Sequence, residues 1–283
     1  MNTDFAILGP DLADTRQLAT PAGNQFPPAA VAQMESLIGD LRRMYRERNE
    51  ALEEVANAHL DALLRLALAA DYKDDDTGIH IVRIGFLSEA MALILGETEE
   101  FAAMLRCAAP MHDVGKIGIP DSILKKPTAL TPEERAVMNT HPAIGASILG
   151  RSRIPLFKLA SDIALTHHER YDGKGYPNGL KGQAIPLGGR IVSLLDVLDA
   201  LLMDRVYRKA MPVPKVLDMV MELRGKHFDP LIVDVFIANV ERILEIRQAI
   251  DAAKPTFEVL ADTSVINVRA MLAKSRAKAR AFC

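Results

Sequence analysis

The chain has no tryptophan and only five tyrosines and nine phenylalanines among its 283 residues. A core of stacked aromatics is thereby excluded, and the interior must rest on Leu, Ile, Val, Ala and Met. Its two cysteines, Cys107 and Cys283, stand far apart and make no disulfide framework. Cys107 lies in an apolar stretch and reads as a buried free thiol, so a reducing, cytoplasmic setting is expected. Neither sign of charge is in excess: 34 basic against 37 acidic residues leave a net −3, with no basic footprint for a nucleic-acid polymer. No apolar run reaches the roughly 18 residues a membrane span needs. Met1 to Gly23 lacks the basic start and apolar core of a signal peptide, so no membrane insertion is expected. Internal repeats are absent, and no alternating strand pattern exceeds about four residues.

What remains is an ordinary globular composition, 49% apolar and 25% charged, long enough for one large domain or two small ones. The reading is all-α. Residues 1–29, rich in Pro, Gly, Asp, Thr and Gln, read as a mobile leader. Residues 30–68 read as one long helix, with Met34, Leu37, Leu41 and Met44 in a 3-4-3 spacing that Ala51, Val55 and Ala58 continue. That partial heptad either packs on its own domain or forms the seam of a dimerising, signalling helix. The principal domain is placed at 69–255. In it Ile81 to Leu95 reads as an amphipathic helix, Phe101 to Met111 as a buried one, and Leu156 to Thr166 and Ile191 to Met203 as further apolar helices. Thr131-Pro132-Glu133-Glu134 is a helix start with a capping box. The tail, 256–283, carries Lys274, Arg276, Lys278 and Arg280, a solvated charge run or a weak basic contact.

The chemistry lies in the histidines. Five of the seven come with two aspartates as His80, His112-Asp113, His141, His167-His168 and Asp196, and each group is a good ligand for iron, manganese or zinc. In His112-Asp113-Val114-Gly115-Lys116, an ammonium lies one helical turn beyond a carboxylate and on the same face. Alone, that segment is equally a buried histidine beside a salt-bridged aspartate. His167-His168 closes an apolar helix. Neighbouring helical side chains diverge by about 100°, so both serve one site only if it lies across the helix end. The glycines of the loop that follows allow close backbone approach. Asp196 and Asp199 lie in an apolar helix, where a carboxylate is costly unless paired, capping or metal-bound.

These segments resemble the HD-GYP family of HD metal-dependent phosphohydrolases. The matching pieces are Asp76-Thr77-Gly78-x-His80-x-x-Arg83, His112-Asp113-x-Gly115-Lys116-x-x-Ile119-Pro120, His141-Pro142 and His167-His168-Glu169 leading into Asp172-Gly173-x-Gly175-Tyr176-Pro177. They continue through Gly179-Leu180-x-Gly182, Ile185-Pro186, Arg190-Ile191, Asp196-x-x-Asp199-Ala200-Leu201, Arg205-x-Tyr207-Arg208 and His227-Phe228-Asp229-Pro230, covering about residues 60 to 250. The resemblance implies an HD-type helical bundle and hydrolysis of cyclic di-GMP to pGpG, and on to GMP in some members. It assigns His80, His112, Asp113 and Asp196 to one metal and His141, His167 and His168 to a second, with Asp113 as bridge. Some members hold a third metal through a Glu four residues before the first histidine; Asp76, a shorter ligand, stands there. The phosphate-contacting positions fall on Lys116, Arg205 and Arg208, and Val206 replaces a common proline. Asp113 and Lys116 are the expected catalytic residues, and Gly175, Tyr176 and Pro177 the expected guanine and ribose wall.

Two iron or manganese ions are therefore expected, with a third site at Asp76. Metal ions lower the pKa of water from about 15.7 towards about 7, and with Lys116 they neutralise charge developing on phosphoryl oxygens. Expected partners are cyclic di-GMP, a second copy through the N-terminal helix, and a diguanylate cyclase or other signalling protein. Alternative readings are a catalytically weak cyclic-dinucleotide receptor or partner-docking module, and an HD phosphohydrolase acting on another nucleotide. Glu169 is expected to support a histidine, and His227 to hold a loop near the site.

Overall fold

A computed structural model describes residues 27–73, 78–150, 152–204, 209–261 and 264–273. Among these residues there is no strand, only an isolated bridge between Arg224 and Phe228. The chain divides into two compact units, at residues 60 and 61. That division falls inside the first helix, α1, which runs Pro28–Lys73, longer than the span read from sequence. Over its first 33 described positions the apolar stripe is solvent-facing, with Met34, Leu37, Leu41 and Met44 each more than half exposed.

The second unit is helical. Beyond the last turns of α1 come α2 (Ile79–Leu95), α3 (Glu99–Ala108), α4 (Asp121–Leu124), α5 (Pro132–Met138), α6 (His141–Leu149), α7 (Pro155–Thr166), α8 (Leu187–Leu202), α9 (Val213–Glu222), α10 (Pro230–Ala238) and α11 (Val240–Ala253). Short 3-10 turns occupy Ala109–Met111 and Val114–Gly118. The expected amphipathic helix at 81–95 is instead buried all round, from His80 to Ala92. α2 is the central element, contacted by α3, α8, α10 and α11, and a helix enclosed on every side needs no polar face. Its charged residues are paired instead. Glu89 accepts from Arg106 at 2.8 Å, and Arg83 reaches Asp199 at 3.2 Å and Asp251 at 2.7 Å.

The buried helix expected at 101–111 is two pieces. α3 stops at Ala108, and Pro110 carries the chain round a 3-10 turn that delivers His112, because proline lacks the N–H an α-helix would use. At α5 the Thr131 hydroxyl accepts from Glu134 N–H while the Glu134 carboxylate accepts from Thr131 N–H at 2.8 Å. The C-terminal segment is not a loose tail through residue 273. Leu260, Ile266, Val268 and Leu272 are buried, and Leu260 O accepts from Arg106 Nε at 2.9 Å and from the Cys107 thiol at 3.4 Å. Lys274, Arg276, Lys278, Arg280 and Cys283 lie outside the described residues.

Two glycines set how closely the site-bearing elements approach. A Cβ on Gly115 would stand 1.9 Å from the His141 carbonyl oxygen, and one on Gly189 would stand 2.2 Å from Thr166 Oγ1. The first presses the turn after Asp113 onto the start of α6. The second presses α8 onto the end of α7, just before His167. Any side chain at either position would push apart two segments that carry candidate ligands.

Candidate metal centre

Four of the histidines reach a common point because each is fixed from behind. His112 Nδ1 faces Ala109 O at 3.0 Å, His141 Nδ1 faces Met138 O at 2.8 Å, and His167 Nδ1 faces Ala164 O at 3.0 Å. A carbonyl only accepts, so each Nδ1 carries the hydrogen and each ring turns its Nε2 forward. His80 does the same against a carboxylate, with Nδ1 2.9 Å from Asp199 Oδ2. Asp199 is fully buried and is also held by Arg83 and by Arg247 at 3.0 Å. This carboxylate-behind-imidazole arrangement is the one that orients metal-ligating histidines.

In front, two groups of donors form. Asp113, His141, His167 and His168 make one, and His80, His112 and Asp196 the other, each with its ligand atoms within 4.8 Å of one another. Asp113 faces both. Its Oδ1 lies 3.3 Å from His141 Nε2 and 3.5 Å from His167 Nε2, while its Oδ2 lies 3.3 Å from His112 Nε2. Asp196 Oδ1 stands 3.5 Å from His80 Nε2 and 3.8 Å from His112 Nε2.

The donor set fits a metal on two further grounds. His112 Nε2 and Asp113 Oδ1 are buried without a hydrogen bond of acceptable geometry, a costly state for a polar atom. His141 Nε2 and His167 Nε2 stand 3.3 Å apart, and with both Nδ1 positions already donating, two lone pairs and Asp113 Oδ1 converge on one point. A cation resolves that repulsion. His167 and His168 are kept neutral, since burial lowers both and carries His168 down to about 2. His80 behaves oppositely. Burial works against its charge, but Asp196 and Asp199 outweigh it and push it up to about 10. His112 is raised too, against burial, by Asp113 and Asp196. Asp113 is held well below the usual carboxylate range, against burial, by Lys116 and His112.

Around these donors lies a cleft of about 420 Å³ lined by Asp71, Lys116, Arg135, His168 and Tyr176 among others, within the size range of small-molecule sites. Lys116 Nζ meets Asp113 Oδ2 at 2.7 Å. The shared face comes from a 3-10 turn, in which residues three apart eclipse, rather than from an α-helix. His168 and Tyr176 stack, their centroids 4.8 Å apart, and burial pushes the Tyr176 hydroxyl up to about 12. The pair at 167–168 does straddle a helix end, at the C-cap of α7.

Some expectations need correction. Of Gly175, Tyr176 and Pro177, only Tyr176 lines the cleft. Gly175 is required for packing: its Cβ would fall 2.3 Å from Arg170 N and 2.6 Å from His168 O. Pro177 is exposed. Glu169 does not support a histidine. It is buried and accepts from Asn178 N–H at 2.7 Å and Leu180 N–H at 3.0 Å, pinning the loop from inside. His227 is half-buried and stacks on Phe228, and its carbonyl accepts from Tyr171 N–H at 3.0 Å. Arg190 pairs with Asp229 and leaves Asp196 to the histidines. Asp76, Arg205, Val206, Tyr207 and Arg208 lie outside the described residues.

Two residues beside the donors are not singled out by the sequence. Asp199 stands three positions beyond Asp196, a spacing that puts both on one helix face. Arg135 belongs to the α5 helix start and lines the cleft, which no local signal announces.

A profile of the HD domain family matches residues 36–232. The chain belongs to the HD domain family. It is 39% identical over 213 residues to a cyclic di-GMP phosphodiesterase of Thermotoga maritima, a match covering 75% of this chain and 58% of that one. It is 39% identical over 190 residues to a 3'3'-cGAMP-specific phosphodiesterase of Vibrio cholerae, covering 67% and 36%. The chain thus spans about half the length of the curated relatives it matches. The crystal structure of a cyclic GMP-AMP specific phosphodiesterase from V. cholerae superposes with a TM-score of 0.53 at 20% identity, over 72% of this chain and 53% of that one, a likeness of HD fold. No described helix is long and apolar enough to cross a membrane.

Two outcomes follow from this geometry. Asp199→Ala removes the acceptor behind His80, and metal retention is expected to fall about 10–100-fold, measured by metal analysis after dialysis against a graded chelator. Retention equal to wild type would make Asp199 a purely structural partner. Metal must also displace a proton from His80, which Asp196 and Asp199 push up to about 10 in metal-free protein. Apparent metal affinity should weaken as pH falls from about 8 to 6, with net proton release on binding. Calorimetry in buffers of different ionisation enthalpy reads that release, and proton uptake would contradict the assignment.

Proposed function

We propose that this chain is a metal-dependent phosphodiesterase of the HD-GYP type that hydrolyses cyclic di-GMP to pGpG or GMP. The observation that carries the reading is the pair of donor groups on either side of Asp113, whose two oxygens face His141 and His167 on one side and His112 on the other. The names of its relatives support the substrate class, as does the presence of Lys116, Arg135 and Tyr176 in the cleft beside the donors. A donor set of imidazoles and carboxylates without thiolate favours iron or manganese.

His80, His112, Asp113 and Asp196 would hold one ion, and Asp113, His141, His167 and His168 the other. Bound there, the ions supply a water of lowered pKa and neutralise the phosphoryl oxygens. The chain does the rest. Lys116, now paired with Asp113, offers its ammonium to the scissile phosphate. Arg205 and Arg208, with Asp76 as a further ligand position, belong to this proposal from the motif alone. Tyr176, stacked on His168, presents its ring to a base or ribose. No side chain acts as covalent nucleophile. The deep burial of His112, His141 and His167 keeps bulk water from competing for the donors.

The reading is tested by anaerobic purification with iron or manganese and chromatography of products from cyclic di-GMP, 3'3'-cyclic GMP-AMP and mononucleotides. Cleavage of cyclic di-GMP to pGpG or GMP is expected, and His112→Ala should reduce it to the blank rate while leaving the helical circular dichroism unchanged. Metal-loaded wild type that binds without cleaving points to a receptor, and preference for the mixed dinucleotide reassigns the substrate.

The same reading includes a homodimer through residues 30–68 as the route for signalling input. The solvent-facing stripe of Met34, Leu37, Leu41 and Met44 supports it. Light scattering at micromolar concentration should give twice the chain mass; a monomer removes this part.

A further inference from the structure

The end of α1 reaches into the site at two places that neither metal ligation nor the substrate-contact assignment uses. Lys73 Nζ donates to Ile117 O and to Ile119 O, each at 2.7 Å, and stands 3.5 Å from Asp121 Oδ1. Those two carbonyls close the 3-10 turn Val114–Gly118 that follows Asp113 and contains Lys116. Carbonyls at the end of a helical turn lack partners within it, and a cation is favoured there. Two residues earlier, Asp71 Oδ2 accepts from Gly78 N–H at 2.7 Å. Gly78 is the N-cap of α2, two residues before His80, and holds a left-handed φ of 76°. Asp71 is itself buried and lines the cleft.

We propose that the last turn of α1 is a strap across the metal centre, with Lys73 positioning the Asp113–Lys116 turn and Asp71 positioning the start of the His80 helix. Both are positioning residues. Lys73 ties one ammonium to a carbonyl of the five-residue turn and to that of its C-cap, Ile119, which fixes the turn's rotation as well as its distance. Asp113 points one oxygen at each donor group, so rotation of this turn misaligns it with both at once. Asp71 restrains the other end of the same span, since His80 contributes to the group on the far side of Asp113. A displacement of α1's last turn would therefore register at both donor groups together. This inference rests on the proposed metal centre and does not depend on the substrate.

Its test reads backbone protection and metal retention in the full chain. Lys73→Met is expected to raise amide hydrogen exchange across 113–119 about fivefold or more while α8 keeps wild-type protection. Manganese retention should fall about tenfold. Lys73→Arg, which can still donate to both carbonyls, is expected to restore both readouts. Asp71→Ala should raise exchange at 78–80 and leave 113–119 unchanged. Wild-type exchange over 113–119 in Lys73→Met, or an equal rise throughout α8, overturns the strap. If Lys73→Met does not fold, Lys73→Gln carries the same comparison and the same overturning result. These readouts need no turnover. A wild type that cleaves no cyclic dinucleotide defeats the proposed function and leaves the strap to be judged on exchange and retention.

Discussion

Asp113 turns one carboxylate oxygen toward His141 and His167 and the other toward His112, and the geometry of the rest of the domain serves that orientation. A half-buried carboxylate among imidazoles is stable only with positive charge close by. Lys116 supplies part of it at 2.7 Å. The remaining demand is on the imidazole side, where the Nδ1 atoms of His80, His112, His141 and His167 are each committed to an acceptor behind the ring and their Nε2 atoms look forward. Histidines free to rotate would relax by turning away. These are held by the carbonyls of Ala109, Met138 and Ala164 and by Asp199, so the convergence of lone pairs is built into the fold. The polypeptide assembles this unfavourable arrangement because packing elsewhere sustains it. Functional sites are where such local cost is tolerated.

The backing of His80 shows how far the support extends. Asp199 has no exposed surface, and a lone buried carboxylate there would carry a large desolvation penalty. Arg83 from α2 and Arg247 from α11 compensate it, and Asp251 links the two guanidiniums at 2.7 and 3.2 Å. Three helices are thus joined by one charge network that reaches the cleft through the His80 ring. Removing either arginine would weaken the grip on Asp199 and so on His80, although neither touches the donor groups. On the opposite flank Glu169 plays a comparable part with backbone amides: it collects the N–H groups of Asn178 and Leu180, and the loop bearing Tyr176 is closed over it.

How much of this was legible in the sequence follows from the range of each interaction. The doublets His112-Asp113 and His167-His168 announce themselves, because adjacent ligands are rare without a reason. The Thr131 capping box depends on four consecutive residues and was readable as such. Helix α2 was misread as amphipathic because His80, Arg83 and Glu89 look like a polar face until the partners Asp199, Asp251 and Arg106 are brought in from elsewhere in the chain. Glu169 was misassigned for a related reason: beside two histidines it looks like a supporting carboxylate, and only the return of the loop at 178–180 reveals its real acceptor duty. Gly175 was read as room for a ligand, whereas the room is taken by the backbone of residues 168–170. The 3-10 turn at 114–118 hides because three-residue spacing reads the same way in an α-helix. Tertiary contacts over 40 or more positions, such as Lys73 to Ile117 and Ile119, leave no local signature.

The charge of the donor set bears on the kind of substrate the proposal names. The two groups together hold five neutral-capable imidazoles and two carboxylates, Asp113 and Asp196. Asp199 is compensated by its own arginines and does not enter the balance. Two divalent ions against two carboxylates leave an excess of two positive charges, to which Lys116 adds a third and Arg135 at the cleft wall a fourth. A neutral substrate would meet an uncompensated cationic cleft. A diester with two phosphates offsets part of that charge, and it does so with oxygens, the hard donors that iron(II) and manganese accept alongside imidazole. Each phosphate would also be held by charge that develops further need of neutralisation as the diester is attacked, so the same excess that draws the dianion in also favours its transition state. A donor set richer in carboxylates would bind the ions more tightly and lose that excess. The predominance of histidine over aspartate is, on this argument, what suits the centre to an anionic phosphodiester.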